Sequence, residues 1–174
     1  MSDDHADRFS DLYADFYGRV RAYATRRVGP DAADEVAAET FTVAWRRFDV
    51  VPAEPLPWLY GVARNVVARH KASLARQAAA RDAIGRERPV SAEARATEDE
   101  GLWEAWLALS ETDREVLALV AWEELPVAEA ARALGCSAPV FSVRLHRARR
   151  RLERLLAARG QGAAHPVSTL SEAS

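Results

Sequence analysis

Apolar positions along this chain recur at the spacing of a helix. Phe9, Leu12, Tyr13, Phe16, Val20 and Tyr23 fall at i, i+3, i+4 and i+7, with Arg27 completing the row. This pattern predicts an amphipathic helix that ends near Gly29-Pro30. A second stripe of Ala33, Val36, Ala37, Thr40, Phe41, Ala44, Trp45 and Phe48 predicts a helix from about Asp31 to Phe48. The stretch from Asp49 to Pro57 then holds three prolines, which fixes a loop of restricted shape and offers Pro57 as a helix start. Trp58, Leu59, Val62, Ala63, Val66 and Val67 place a third helix there, running on as a basic, alanine-rich stretch towards Arg81.

Periodicity is lost over 82–101, which reads as a linker. A second helical block begins with Leu102, Trp103, Trp106 and Leu107. Ser110 to Asp113 has the form of a capping box ahead of Val116, Leu117, Leu119 and Val120. A short helix carrying Val127, Ala130, Ala131 and Leu134 closes at Gly135. Ser137 then caps a long helix with Phe141, Leu145, Ala148, Leu152, Leu155 and Leu156 on one side. No strand pattern and no fixed-period repeat competes, so the expected fold is all-α.

At 174 residues the chain is one large domain or two small ones. Its hydrophobic share of 49% and charged share of 29% suit a folded, soluble protein. The longest apolar run, Val116 to Trp122, is far short of the roughly 20 residues of a membrane span, so no membrane insertion is expected. The acidic start, Met-Ser-Asp-Asp-His, lacks the apolar stretch of a secretory signal. One cysteine makes no internal disulfide and fits a reducing cytoplasm. His5, His70, His146 and His165 are too far apart to suggest a metal site, and no cofactor is implied.

The net charge of −2 conceals strong segregation. Residues 46–88 carry a net +5 and 144–159 a net +6, with an acidic −6 over 89–115 between them. Local basic patches of this kind attract polyanions whatever the whole-chain charge.

The second basic block sits on the strongest local pattern. A short helix, a turn at Gly135-Cys136-Ser137 and a longer basic helix have the shape of a helix-turn-helix. Phe141 and Leu145 should face the core, while Ser142, Val143, His146 and Arg147 face outward from the same turns. Arg144, Arg149, Arg150, Arg151 and Arg154 are placed to neutralise phosphates, although a solvated basic face has the same composition. Cys136 fits a packing role at the turn.

The first basic block offers a different surface. Trp58, Arg64, Asn65, Arg69, His70 and Lys71 flank or follow the proline-rich loop. An aromatic ring beside a positive helix can stack unpaired bases, and an asparagine can hydrogen-bond an exposed base edge. Periodicity alone favours Trp58 as a core residue of a three-helix bundle over a base-stacking one, and its place at a helix start lets it be both. Asp31, Asp34, Glu35 and Glu39 can be solvated or can favour the helix dipole.

Four segments together resemble the extracytoplasmic-function (ECF) sigma factors. Ala33-Asp-Glu-Val-Ala-Ala-Glu-Thr-Phe-Thr-Val-Ala-Trp45 is similar to the family's core-binding helix, and Pro57-Trp-Leu-Tyr-Gly-Val-Ala-Arg-Asn-Val66 to its promoter-melting segment. Leu109-Ser-Glu-Thr-Asp-Arg-Glu-Val-Leu117 and Val143-Arg-Leu-His-Arg-Ala-Arg-Arg-Arg-Leu152 are similar to its region 4. The resemblance implies two small helical domains joined by a flexible linker: sigma region 2 over 6–81, a linker over 82–100, region 4 over 101–158, and a disordered tail over 159–174. Asp34, Glu35 and Glu39 would dock on core RNA polymerase. Asn65, beneath the Asp49–Pro57 loop, would help capture a flipped base of the −10 promoter element, with Trp58, Arg69 and Lys71 supporting the melted strand. Ser142, Val143, His146 and Arg147 would face base edges of the −35 element, flanked by Arg144, Arg149 and Arg150. The family is commonly held inactive by an anti-sigma factor, although no residue here identifies one.

Three positions depart from the family pattern. Ala38 stands where Gln is frequent, Arg69 where an acid or Asn is frequent, and Ser142 where Arg or Lys is frequent, with Pro139 unusual close by. Ala38 keeps open a stand-alone helix-turn-helix regulator that no longer binds polymerase. An enzyme is disfavoured, because the sequence has no metal-type carboxylate cluster, no glycine-rich phosphate loop and no nucleophile motif.

Overall fold

The computed structural model describes residues 3–82 and 100–162. Among these residues the chain forms seven α-helices, one short 3₁₀ turn and no strand. The helices are α1 (Asp3–Val28), α2 (Pro30–Arg46), α3 (Pro55–Asp82), α4 (Glu100–Ala108), α5 (Glu111–Ala121), α6 (Val127–Leu134) and α7 (Ala138–Gly162), with the 3₁₀ turn at Phe48–Val50. Of the expected linker over 82–100, residues 83–99 lie outside the described residues, while Asp82 ends α3 and Glu100 begins α4; of the expected tail over 159–174, residues 163–174 lie outside them. Residues 159–162, expected in the tail, still belong to α7.

The helices sort into two compact units, with α1, α2, α3 and nearly all of α6 in the first and α4, α5 and α7 in the second. In the first, α1, α2 and α3 pack as a three-helix core. Val20, Tyr23 and Ala24 of α1 meet Ala33, Val36, Ala37 and Phe41 of α2 and Leu59, Tyr60, Ala63 and Val66 of α3, all buried. The rings of Tyr23 and Tyr60 stack with centroids 4.9 Å apart. Thr40, also buried, satisfies its hydroxyl by donating to the Val36 carbonyl at 2.7 Å. At one end Phe9 packs edge-on against Trp45 and His5 lies tilted against Phe48, so aromatic rings rather than aliphatic side chains close this part of the bundle.

Two boundaries differ from the sequence expectation, each for a local reason. Helix α2 stops at Arg46 because Arg47 takes φ −121°, and Phe48 enters the 3₁₀ turn. Helix α3 starts at Pro55, so Pro57 is its third residue. Both prolines sit in the first turn, where backbone N–H groups have no intrahelical partner to lose.

Helix α6 lies against α3 where Gly61 leaves room. A Cβ at Gly61 would come within 3.2 Å of the Ala133 carbonyl oxygen. Arg64 donates to the Leu134 carbonyl at 3.4 Å, and Arg132 pairs with Glu54. Gly135 ends α6 at φ +64°, the left-handed conformation in which a side chain is strained.

In the second unit, α4 and α5 each pack on α7, and Ala105, Leu109, Val116, Leu117, Leu119, Phe141, Leu145 and Ala148 are all buried. Ser110 caps α5 as the sequence predicts, accepting from the Asp113 amide at 3.1 Å. Asp113 is buried, and its carboxylate accepts from the Ser110 hydroxyl at 2.8 Å and pairs with Arg151 of α7 at 2.6 Å. One acidic residue thus finishes the start of α5 and fastens α7 to it. The apolar run that opens α4 is largely on the surface: Leu102, Trp103 and Leu107 are exposed, and Trp106 meets the exposed Trp122 ring at 4.6 Å.

Candidate nucleic-acid interface

On α3 the exposed side is set by elimination, since Leu59, Ala63, Val66 and Val67 are committed to the core. At about 100° per residue, Trp58, Asn65 and Arg69 fall within roughly 40° of one another on the opposite side. Asn65 and Arg69 are exposed and Trp58 is half-buried, its ring shared between surface and core. Lys71 is half-buried and lies more than about 100° round the helix from Asn65, so α3 does not bring it into the same row.

The three carboxylates of α2 are not equivalent. Asp34 lies on the α1 side, where Arg21 pairs with it at 2.6 Å and the Tyr17 hydroxyl donates to it at 2.9 Å. These partners hold its carboxyl below the ordinary carboxylate value, with the Arg21 hydrogen bond the larger cause. The Tyr17 phenol is pushed up in turn, chiefly by its own hydrogen bond to the Asp34 carboxylate. Glu39 lies on the α3 side and pairs with Arg69 at 2.7 Å. Glu35 stands between them, exposed, with no ion pair among the described residues. An arginine and a glutamate that sequence reasoning assigned to different partners therefore close on each other.

On α7 the sides separate as periodicity predicts. Phe141, Leu145 and Ala148 are buried, and Ser142, Val143, Arg144, His146, Arg147, Arg149 and Arg150 are exposed. Arg144, Arg147 and Arg149 have no ion-pair partner among the described residues. Arg150 lies 3.5 Å from Glu153, and Arg154 donates to the Arg150 carbonyl at 3.2 Å. Arg151, which the sequence placed with the phosphate-facing arginines, turns back to pair with the buried Asp113 at 2.6 Å. Ser142 donates its hydroxyl to the Ala138 carbonyl at 3.0 Å. Among the described residues no group of His, Cys, Asp and Glu could hold a metal ion, and no helix is long and apolar enough to cross a membrane.

Most of α1–α3, and α4 through the first part of α7, lie in two stretches that match known families. Residues 12–77 match Sigma-70 region 2, and residues 100–152 match Sigma-70, region 4. The chain belongs to the sigma-70 family, in its ECF group. This sigma factor serves transcription initiation: its region 2 binds core RNA polymerase, and its region 4 carries a DNA-binding helix-turn-helix.

Solved structures agree in fold. The sigma factor RpoE from Bartonella quintana, in complex with the anti-sigma factor NepR, is 23% identical with a TM-score of 0.64, the match covering 86% of this chain and 97% of that one. CnrH, in complex with the cytosolic domain of CnrY, is 27% identical with a TM-score of 0.57, covering 86% and 88%. No curated protein matches the chain significantly.

Proposed function

We propose that this sigma factor is a dissociable promoter-specificity subunit, acting in the cytoplasm without catalysis of its own. Region 2 holds the parted −10 strand with Trp58, Asn65 and Arg69 along the exposed side of α3, and Lys71 attracts the backbone from beside that row. Region 4 enters the −35 major groove with Ser142, Val143, His146 and Arg147, while Arg144, Arg149 and Arg150 meet phosphates. Asp34, Glu35 and Glu39 face core polymerase. Glu35 carries most of that contact, since its two neighbours are already paired.

The observation that carries this reading is the outward side of α7: a row of exposed polar and basic side chains, with three arginines that the fold leaves unpaired. Unpaired guanidinium groups beside a helix that fits a major groove supply both attraction and register. RpoE is bound by an anti-sigma factor and CnrH by the cytosolic domain of CnrY, which supports an anti-sigma partner for this chain as well. The test is reconstitution: core RNA polymerase should gain initiation at discrete promoters when the purified chain is added. If no genomic promoter gains initiation, the reading fails.

A further inference from the structure

The first two turns of α7 are short of hydrogen-bond donors. Val140 and Val143 are 44% and 51% exposed, and they belong to the small set of large apolar side chains that the described residues leave in solvent. A single exposed valine is ordinary, but their position on the helix makes these two informative. With Phe141, Leu145 and Ala148 defining the buried side, rotation of about 100° per residue puts Val143 within roughly 20° of the most outward direction. Pro139 lies beside it, exposed and without an N–H. Ser142, the one hydroxyl in this segment, has committed its proton to the Ala138 carbonyl. The first unpaired side-chain cation is Arg144, with His146 and Arg147 further along.

We propose that Val143, with Val140 at its flank, reads thymine methyl groups in the −35 element. This rests on the reading that α7 enters a major groove. In that groove, thymine alone offers an apolar group, its C5 methyl, and every other base edge offers donors or acceptors. A valine set against the cytosine amino group or the adenine edge would strip water from a polar group and return no hydrogen bond. Against a thymine methyl it buries carbon on carbon. The surrounding arginines hold the duplex in place through phosphates and carry no sequence information of their own. The valines therefore turn a non-selective hold into a preference for thymine at the positions they reach. The departure at Ser142 works in the same direction, because a lysine or arginine there would add a donor to this part of the surface.

The experiment uses the full chain and duplex DNA selected from a random library. Each thymine of the selected motif is then replaced by uracil, which removes the methyl and leaves the hydrogen-bonding edge intact. One such replacement should weaken binding about fourfold, the ratio expected for one buried carbon. Val143→Ala should bind the thymine and uracil duplexes equally at that position, and Val140→Ala should lose the penalty at a neighbouring one. Both residues are on the surface, so neither change threatens the fold. Selective, salt-dependent binding that is indifferent to uracil at every position overturns the methyl readout and leaves the groove reading standing. A chain that selects no motif, and whose salt dependence is unchanged by Arg149→Ala, overturns both.

Discussion

Asp34 lies on the surface, yet its carboxyl titrates below the ordinary value of 3.8 because Arg21 and Tyr17 both donate to its charged form. A carboxylate whose folded pKa is depressed stabilises the fold above the unfolded value and loses that contribution as pH falls through the folded one. Tyr17 works in the opposite sense. Its raised pKa gives stability that is present below 10.0 and lost as pH rises through the folded value. Asp34→Asn should therefore unfold at lower urea than the parent at pH 7. The gap should narrow on acidification below about pH 4, and again in strong alkali. It should be small, since water screens an exposed pair. A gap of the same size at pH 7 and pH 3 would mean that the Arg21 contact does not persist in solution. Glycine matters at this scale too: Gly135 at φ +64° permits a turn between α6 and α7 that a side chain would strain.

Helix by helix, the basic charge of α7 divides into two roles. Arg149 is exposed and unpaired, whereas Arg151 is fastened to the buried Asp113 at 2.6 Å. Changing Arg149 to Ala should reduce the slope of log affinity against log salt by about 0.9, the contribution of one neutralised phosphate. Arg151→Ala should leave that slope unchanged and lower stability on the order of 1 kcal/mol, discounted because the guanidinium is half in water. Anisotropy titrations over a salt series, with urea unfolding beside them, separate the two. Equal slope changes in both variants would show that Arg151 leaves Asp113 for DNA. The sequence could not make this distinction. Periodicity named the buried side of α7 correctly through Phe141, Leu145 and Ala148, and the Ser110 capping box was legible because its partners are three residues apart. The Asp113–Arg151 and Glu39–Arg69 pairs join residues 38 and 30 positions apart, which no local spacing encodes. For the same reason the exposure of Leu102, Trp103 and Leu107 was hidden, since whether an apolar stripe meets a neighbour depends on the neighbour.

For the whole molecule, initiation asks one chain to hold intact duplex with one unit and parted strands with the other. Only contacts that differ between closed and open DNA can shift the equilibrium towards melting. Region 4 holds double helix in both states, so its contacts raise occupancy and leave the closed-to-open ratio unchanged. Region 2 must supply the difference, and the proposed role falls to Asn65, exposed on α3 in line with Trp58. Asn65→Ala should accordingly leave duplex binding by the chain unaltered while lowering the open fraction of promoter complexes formed with core polymerase. One lost hydrogen bond to an unpaired base predicts a drop of roughly two- to tenfold. Permanganate reactivity of unpaired thymines reports the open fraction directly, and duplex affinity measured in parallel reports the rest. Undiminished reactivity in the variant would remove Asn65 from the melting step. Weakened duplex binding would instead mean that α3 touches DNA before the strands part, and the two modules would then no longer divide closed and open DNA between them.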